Sequence, residues 1–421
     1  MTQLLPIAAL LLGSALLVFA GGLHGLLLPI RGTLEGFSDT ALGLLGTGWA
    51  IGYVTGCITT PRIVRRVGHI RTFGVFASLT AIAILLNLLL MVPAAWIPLR
   101  AISGFCFAGA AMVVESWLNE RAQPNTRGRI FGLYTMVNLG ATMAGQMLLT
   151  LGDPAGYVFF VVGAIVYAMA LLPTALSTAA QPVPLTQVRL DIRDLWRNSP
   201  IAVIAVFLAG ISNSAFGTLG PVYGGKIGLP VTDIATMMSI ALLAGAVLQI
   251  PLGMLSDRTD RRLVLLGVAL AACAVGLTLS LGGMLPPMAV VALVAAFGGM
   301  IYSMYPIIVA HASDHAAPGA FLKTSGGLLL LFGIGSIVGP LLAALLMTVT
   351  TPSGLFSVTS AAHALIVLFT LLRIRQRAPV AAEERGEFVS IASGVKPATP
   401  EAMALDPRAE GDLELQSDPQ I

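Results

Sequence analysis

The residues of this chain best able to do chemistry are charged and titratable groups set within or between long apolar runs. Glu115 stands in one such run and Arg100 near its start, while His24 lies in another among Gly21, Gly22 and Gly25. The segment Gly253 to Arg262, GMLSDRTDRR, places five charges between two further runs. An ionised group inside hydrocarbon is costly, so each of these must be paired or used. Glu115 can form a gate salt bridge with Arg62, Arg65 or Arg66, or act as a protonatable coupling site. Arg100 can depress the pKa of a nearby acid, or snorkel to an interface. His24 reads as a packed neutral imidazole, with titration near neutral pH as the functional alternative.

The elements that position these groups follow from composition. Of 421 residues, 56% are hydrophobic and 10% charged, with a mean hydropathy of +0.89. Runs of roughly 20 apolar residues, long enough to cross a bilayer as helix, recur about twelve times from residue 5 to residue 374. Alternating ten-residue strands do not occur, so backbone polar groups must be satisfied within helices. An all-α membrane protein is therefore expected. Apart from Arg31, Arg100 and Lys226, every Lys and Arg falls in the loops of one side or in the C-terminal tail. The positive-inside rule then puts both termini in the cytoplasm. Residues 1–5 carry no Lys or Arg and the first apolar run continues to Ile30, which predicts a retained helix rather than a cleaved signal. Cys57, Cys106 and Cys273 have no metal-ligand spacing and read as packing residues.

Two halves repeat faintly at an offset of 190–197 residues. Gly25-Leu-Leu-Leu-Pro29 matches Gly217-Thr-Leu-Gly-Pro221, each closing the first helix of its half; Asp39 matches Asp233 and Gly140 matches Gly335, with Gly145 beside Pro340. The expected division is 1–176, a linker at 177–199 with a short amphipathic helix, 200–375, and a tail at 376–421. The tail has nine acidic and four basic residues and no hydrophobic periodicity, which predicts disorder.

The segment from Gly253, with Asp257 four residues on and then Arg258, Arg261 and Arg262, resembles the signature loop of the major facilitator superfamily. Its first-half counterpart, Gly56 to His69, keeps Arg62, Arg65 and Arg66 but has no aspartate. The string from Glu115 to Arg129, together with Arg62 to His69, resembles the YcaD-like bacterial branch of that superfamily. The resemblance implies twelve transmembrane helices in two pseudo-symmetric six-helix bundles, alternating access around a central cavity, and a clasp in which Asp257 pairs with Arg258 or Arg261 while Gly253 permits close helix approach. Without it, the same loop reads as a plain positive-inside loop. Arg100-Ala-Ile-Ser-Gly104 resembles a helix-four motif associated with proton coupling, whereas the Gly-Pro antiporter motif of helix five is replaced by Asn138-Leu-Gly140 and Gly145-Gln146.

Substrate-binding candidates are the polar and aromatic residues within spans: His24, Asn138, Gln146, Asn213, Gln249, Tyr302 and Tyr305. Most such groups in membrane proteins make interhelical hydrogen bonds of about 0.6 kcal/mol. His311, Asp314 and His315 have the composition of a metal site, but their position at a helix end favours a gate with the Arg121 loop. No metal or cofactor is expected, and the proton gradient is the expected energy source, since neither GxxxxGK[ST] nor HExxH occurs. The expectation is a monomeric inner-membrane secondary transporter of a small organic, amphipathic or neutral solute, and not an enzyme. Its partners are that solute and the bilayer, with no nucleic acid, because the basic excess is topological. Drug or xenobiotic efflux by proton antiport, and a non-transporting sensor on the same fold, are the alternatives.

Overall fold

The computed structural model describes residues 4–175, 192–281, 285–317, 319–376, 378–381, 385–391 and 398–412. Among them the chain is helical throughout its body. The first half contains α1 (Leu4–Leu34), α2 (Asp39–Val67), α3 (His69–Leu89), α4 (Pro93–Arg121), α5 (Pro124–Met147) and α6 (Val158–Ala175). After a short α7 (Ile192–Asn198) come α8 (Pro200–Lys226), α9 (Val231–Arg258), α10 (Arg261–Leu281), α11 (Pro287–Ser313), α12 (Phe321–Val349) and α13 (Gly354–Ile374). Ten of these helices are long and apolar enough to cross a membrane. Of the other two long ones, α5 carries polar residues along its length, including Asn138 and Gln146, and α6 is apolar over Val158–Pro173. The predicted amphipathic linker helix is α7; residues 177–191 of the linker lie outside the described residues.

The helices pack in the same order in both halves. Helix α1 lies against α5 and α6, α2 against α4, and α3 against α4 and α6; likewise α8 lies against α12 and α13, α9 against α11, and α10 against α11 and α13. Small residues set the close approaches, because without a hydrophobic drive between helices in lipid, backbone proximity and van der Waals contact must hold them. On α2, Gly48, Gly52 and Gly56 recur every fourth residue, and a Cβ on each would strike the carbonyls of Ile97, Ala101 and Phe105 on α4. Gly145 of α5 sits against the Phe19 carbonyl of α1, and Gly339 of α12 against the Ile211 carbonyl of α8. These contacts align Gly145 with Gly339, rather than Gly140 with Gly335: Gly140 faces open space.

Both first helices run five residues past the prolines expected to close them. Helix α1 ends where the Phe37 N–H donates to the Gly32 carbonyl and Gly36 turns to φ +74°; α8 ends where Leu229 donates to Gly224 and Gly228 turns to φ +83°. That is one αL termination used twice, and glycine is the residue that adopts it without strain.

The halves meet at the end away from the tail. There Thr47 donates to the Ile337 carbonyl at 2.8 Å, Ser239 donates to Gln146 at 3.0 Å, and Lys226 pairs with Asp39 at 2.5 Å. At the other end the space between them is occupied by the chain's own tail, which differs from the disorder expected of it. Its described parts include a short helix α14 (Pro400–Ala404), and Ile391, Met403 and Leu405 are buried. A few apolar anchors, irregularly spaced, suffice to dock it.

Gly52→Leu should cost about 1–3 kcal/mol by overpacking α2 on α4, whereas Gly140→Ala should leave stability unchanged or slightly raised. Thermal unfolding of the purified protein distinguishes them; equal behaviour would mean that the glycine contacts do not hold the helices.

Candidate functional site

A cavity of about 160 Å³ lies between the halves at the tail end, lined by Tyr53, Glu115, Tyr134, Asn138, Thr142 and Gln249 among others. Helix α4 carries Glu115 into it on a face that is otherwise fully packed, leaving the carboxylate 3% exposed. The Tyr134 hydroxyl donates to Glu115 Oε1 at 2.6 Å, and the Thr399 hydroxyl of the tail donates to Oε2. Asn138 lies four residues beyond Tyr134, hence on the same face of α5, and accepts from Ser14 at 2.8 Å. From the other half, Gln249 accepts from Ser390 of the tail at 2.7 Å and donates to the Tyr302 carbonyl at 3.4 Å. The three predicted residues Glu115, Asn138 and Gln249 are thus brought to one cavity.

A second cavity of about 60 Å³, nearer the closed end, gathers His24, Arg100, Trp49 and Tyr167 with Ser214 and Thr218 of the other half. Asn87 holds His24 Nε2 at 3.2 Å, and the Tyr167 ring meets the imidazole edge-on. The Arg100 guanidinium lies 6.0 Å from the Trp49 ring, a cation–π distance. Arg100 therefore faces the inside of the bundle and does not snorkel.

The charged loop after α9 forms a compact ion cluster. Arg261, 2% exposed, reaches Asp314 at 2.7 Å and Asp257 at 3.0 Å, while Arg262 pairs with Asp260 at 2.7 Å. Burial raises the Asp260 pKa, but the Arg262 hydrogen bonds and charge outweigh it and hold the carboxyl below its usual range. The cluster ties α9, α10 and α11 of one half. A Cβ on Gly253 would strike the Phe388 ring of the tail, so this glycine makes room for the tail and not for a neighbouring helix. In the tail itself, burial and then the Glu115 carboxyl push the Glu401 carboxyl up to about 8.

The sequence model of the major facilitator superfamily matches residues 10–321 and 204–408. The chain belongs to the major facilitator superfamily. It is 29% identical over 375 residues to an uncharacterized MFS-type transporter of Enterobacter sp. (strain 638), covering 87% of this chain and 95% of that protein. To the uncharacterized MFS-type transporter YcaD of Salmonella typhimurium it is 27% identical over 383 residues, covering 89% and 97%. The same fold is found in the nucleoside transporter NupG, with a TM-score of 0.75 at 13% identity over 88% of this chain and 100% of that one. It recurs in a bacterial homolog of the human lysosomal transporter Spinster, with a TM-score of 0.69 at 16% identity over 90% and 97%. The YcaD-like resemblance is thereby supported, and the protein is a multi-pass inner-membrane transporter rather than an enzyme.

Within this superfamily member, several expected partners differ from those found. Arg62, Arg65 and Arg66 are exposed, and Glu115 is held by hydroxyls instead of by them. Arg258 has no ion pair among the described residues, the Asp257 partner being Arg261. Asp314 pairs with Arg261 and not with the Arg121 loop, His315 Nδ1 lies 2.9 Å from the His311 carbonyl, and no metal-binding cluster is found among the described residues. Gln146 joins the halves at the closed end. Asn213, Tyr302 and Tyr305 are buried but line neither cavity. Tyr134, Asn87 and Tyr167 were missed; the i−4 spacing of Tyr134 from Asn138 was the available signal for the first.

Asp314→Ala should destabilise the protein by about 3–5 kcal/mol, since it strips a buried guanidinium of its buried partner. Asp257→Ala should cost about 1 kcal/mol or less, its carboxylate being 39% exposed and screened. Thermal unfolding that ranks the two in the opposite order would overturn this reading of the cluster.

Proposed function

We propose that this transporter moves a small organic solute by alternating access, coupled to protons, with both termini in the cytoplasm. With that orientation the closed end faces outward and the cavity opens inward. The observation that carries the coupling is the setting of Glu115: a buried carboxylate at the cavity shared by the halves, hydrogen-bonded by hydroxyls and not neutralised by an arginine. Hydroxyl donors serve a carboxylate in either protonation state, so the group can take up and release a proton as its surroundings change. The remaining lining supports a neutral or amphipathic solute, because Tyr53, Phe107 and Phe131 supply apolar surface while Asn138, Thr142 and Gln249 supply hydrogen bonds. Arg100 beside His24 forms a second polar station toward the closed end, suited to influencing the proton from the far side of the cavity.

The test begins with a thermal-shift screen of metabolites and drugs to find a solute, followed by flux in proteoliposomes. Glu115→Gln should reduce ΔpH-driven accumulation at least tenfold while retaining solute exchange at zero gradient. Accumulation that still follows ΔpH in this variant would remove Glu115 from coupling.

A further inference from the structure

We propose that the C-terminal segments 385–391 and 398–412 form an internal plug that occupies the tail-side mouth of the central cavity and must leave before the halves can close there. The inference rests on the alternating-access reading for its consequence, though not for the docking itself.

The first segment binds the ion cluster of one half through its backbone. The Phe388 N–H donates to Asp257 at 3.1 Å, the Gly386 N–H to Asp314 at 3.1 Å, and Arg261 donates to the Gly386 carbonyl. Arg385 reaches the Thr259 carbonyl at 2.6 Å, and the Phe388 ring takes the space over Gly253. Every member of the Asp257, Arg261 and Asp314 cluster is therefore engaged by the tail. Backbone groups do most of the binding, which suits an extended segment laid across a helix end.

The second segment bridges both halves. Asn119 of α4 donates to the Glu401 carbonyl at 2.8 Å, and Arg127 of α5 to the Ala404 carbonyl at 2.7 Å. On the other half, Asp412 accepts from the N–H groups of Phe321 and Leu322 at 3.2 and 2.7 Å. Helix α12 has no side-chain cap of its own at Ala320, so the tail supplies one from more than 90 residues away. The Arg408 guanidinium lies over the Phe321 ring at 5.0 Å. Met403 and Leu405, both fully buried, fill the gap between these anchors.

Inside the cavity the tail presents hydroxyls to the two polar groups a solute would use. Thr399 donates to Glu115 and Ser390 to Gln249. A solute and the tail thus compete for the same atoms, and a chain lodged between α4, α5 and α12 keeps those helices apart.

The docking can be tested without knowing the solute. With Cys57, Cys106 and Cys273 replaced by serine, a single Thr135→Cys reports access to the cavity lining. Its modification by a membrane-impermeant maleimide is compared in nanodiscs for the full chain, a chain ending at Gln376, and the full chain with Phe388→Asp and Met403→Asp. Labelling should be at least tenfold faster in both altered proteins, with the double variant guarding against misfolding of the shortened one. Equal labelling rates in all three would overturn the plug. If labelling accelerates and a solute is in hand, flux should rise with it. Faster labelling without flux in any variant would leave the plug standing and count against the transport reading instead.

Discussion

Arg261 must find anions because it is almost wholly removed from solvent, and much of the tail-side architecture follows from that requirement. A buried guanidinium has five N–H donors to satisfy, and no single carboxylate can do so. Asp314 takes Nε, Asp257 and Ser256 share Nη1, and the Gly386 carbonyl takes Nη2. The consequence is that α9, α10, α11 and the tail are fixed relative to one another by one side chain. Removing Asp314 or the Gly386 carbonyl leaves a buried donor without its partner, whereas Nη1 keeps Ser256 if Asp257 is lost, so the cluster is a constraint on geometry more than a source of net stability.

The glycine stripes and the ion cluster divide the work between the two ends of the molecule. At the closed end, α2 meets α12 through Gly43 against Ala344 and Thr47 against the Ile337 carbonyl, contacts that require small residues and direct backbone approach. At the tail end no such stripe joins the halves among the described residues, and body side chains such as Asp257, Arg261 and Asp314 meet backbone groups contributed by the tail. Packed small-residue contacts are insensitive to protonation; the polar ones are not. The closed end thus combines a small-residue seam with one ion pair, Lys226 with Asp39, whereas the tail end relies on titratable and backbone polar contacts.

Much of the fold was legible because hydrocarbon imposes a simple code: long apolar runs become helices, and charges sit at their ends. The offset between the halves was legible too, since Gly36 and Gly228, Pro29 and Pro221 repeat at 192 residues. Gly140 misled because glycine content alone does not say which glycine touches a backbone; only the neighbouring helix decides that. The gathering of Glu115, Asn138 and Gln249 was partly legible, as each is polar within an apolar helix. Their partners were not, since Tyr134 looks like any interfacial aromatic, and Thr399 lies 284 residues from Glu115 in an acidic stretch whose average composition conceals Ile391, Met403 and Leu405. Averages detect periodic cores; they do not detect a strap held by isolated anchors.

The missing aspartate of the first-half loop gains a physical meaning when the two loops are aligned on Gly56 and Gly253. Thr60 then falls at Asp257 and Val64 at Arg261, and both Thr60 and Val64 are buried. Where the second half sets a partly exposed aspartate beside a buried arginine, the first buries a hydroxyl and an isopropyl group and leaves Arg62, Arg65 and Arg66 exposed. Two ionic loops would offer the tail two equivalent docking sites related by the pseudo-two-fold axis, and a single chain end cannot occupy both. With the acid absent from the first-half loop, it is the Asp257–Arg261 loop that offers the tail backbone both an acceptor for its N–H groups and a donor for its carbonyl. The asymmetry of the repeat is therefore what gives the tail a defined direction across the mouth, from the ion cluster of the second half to Glu115 of the first.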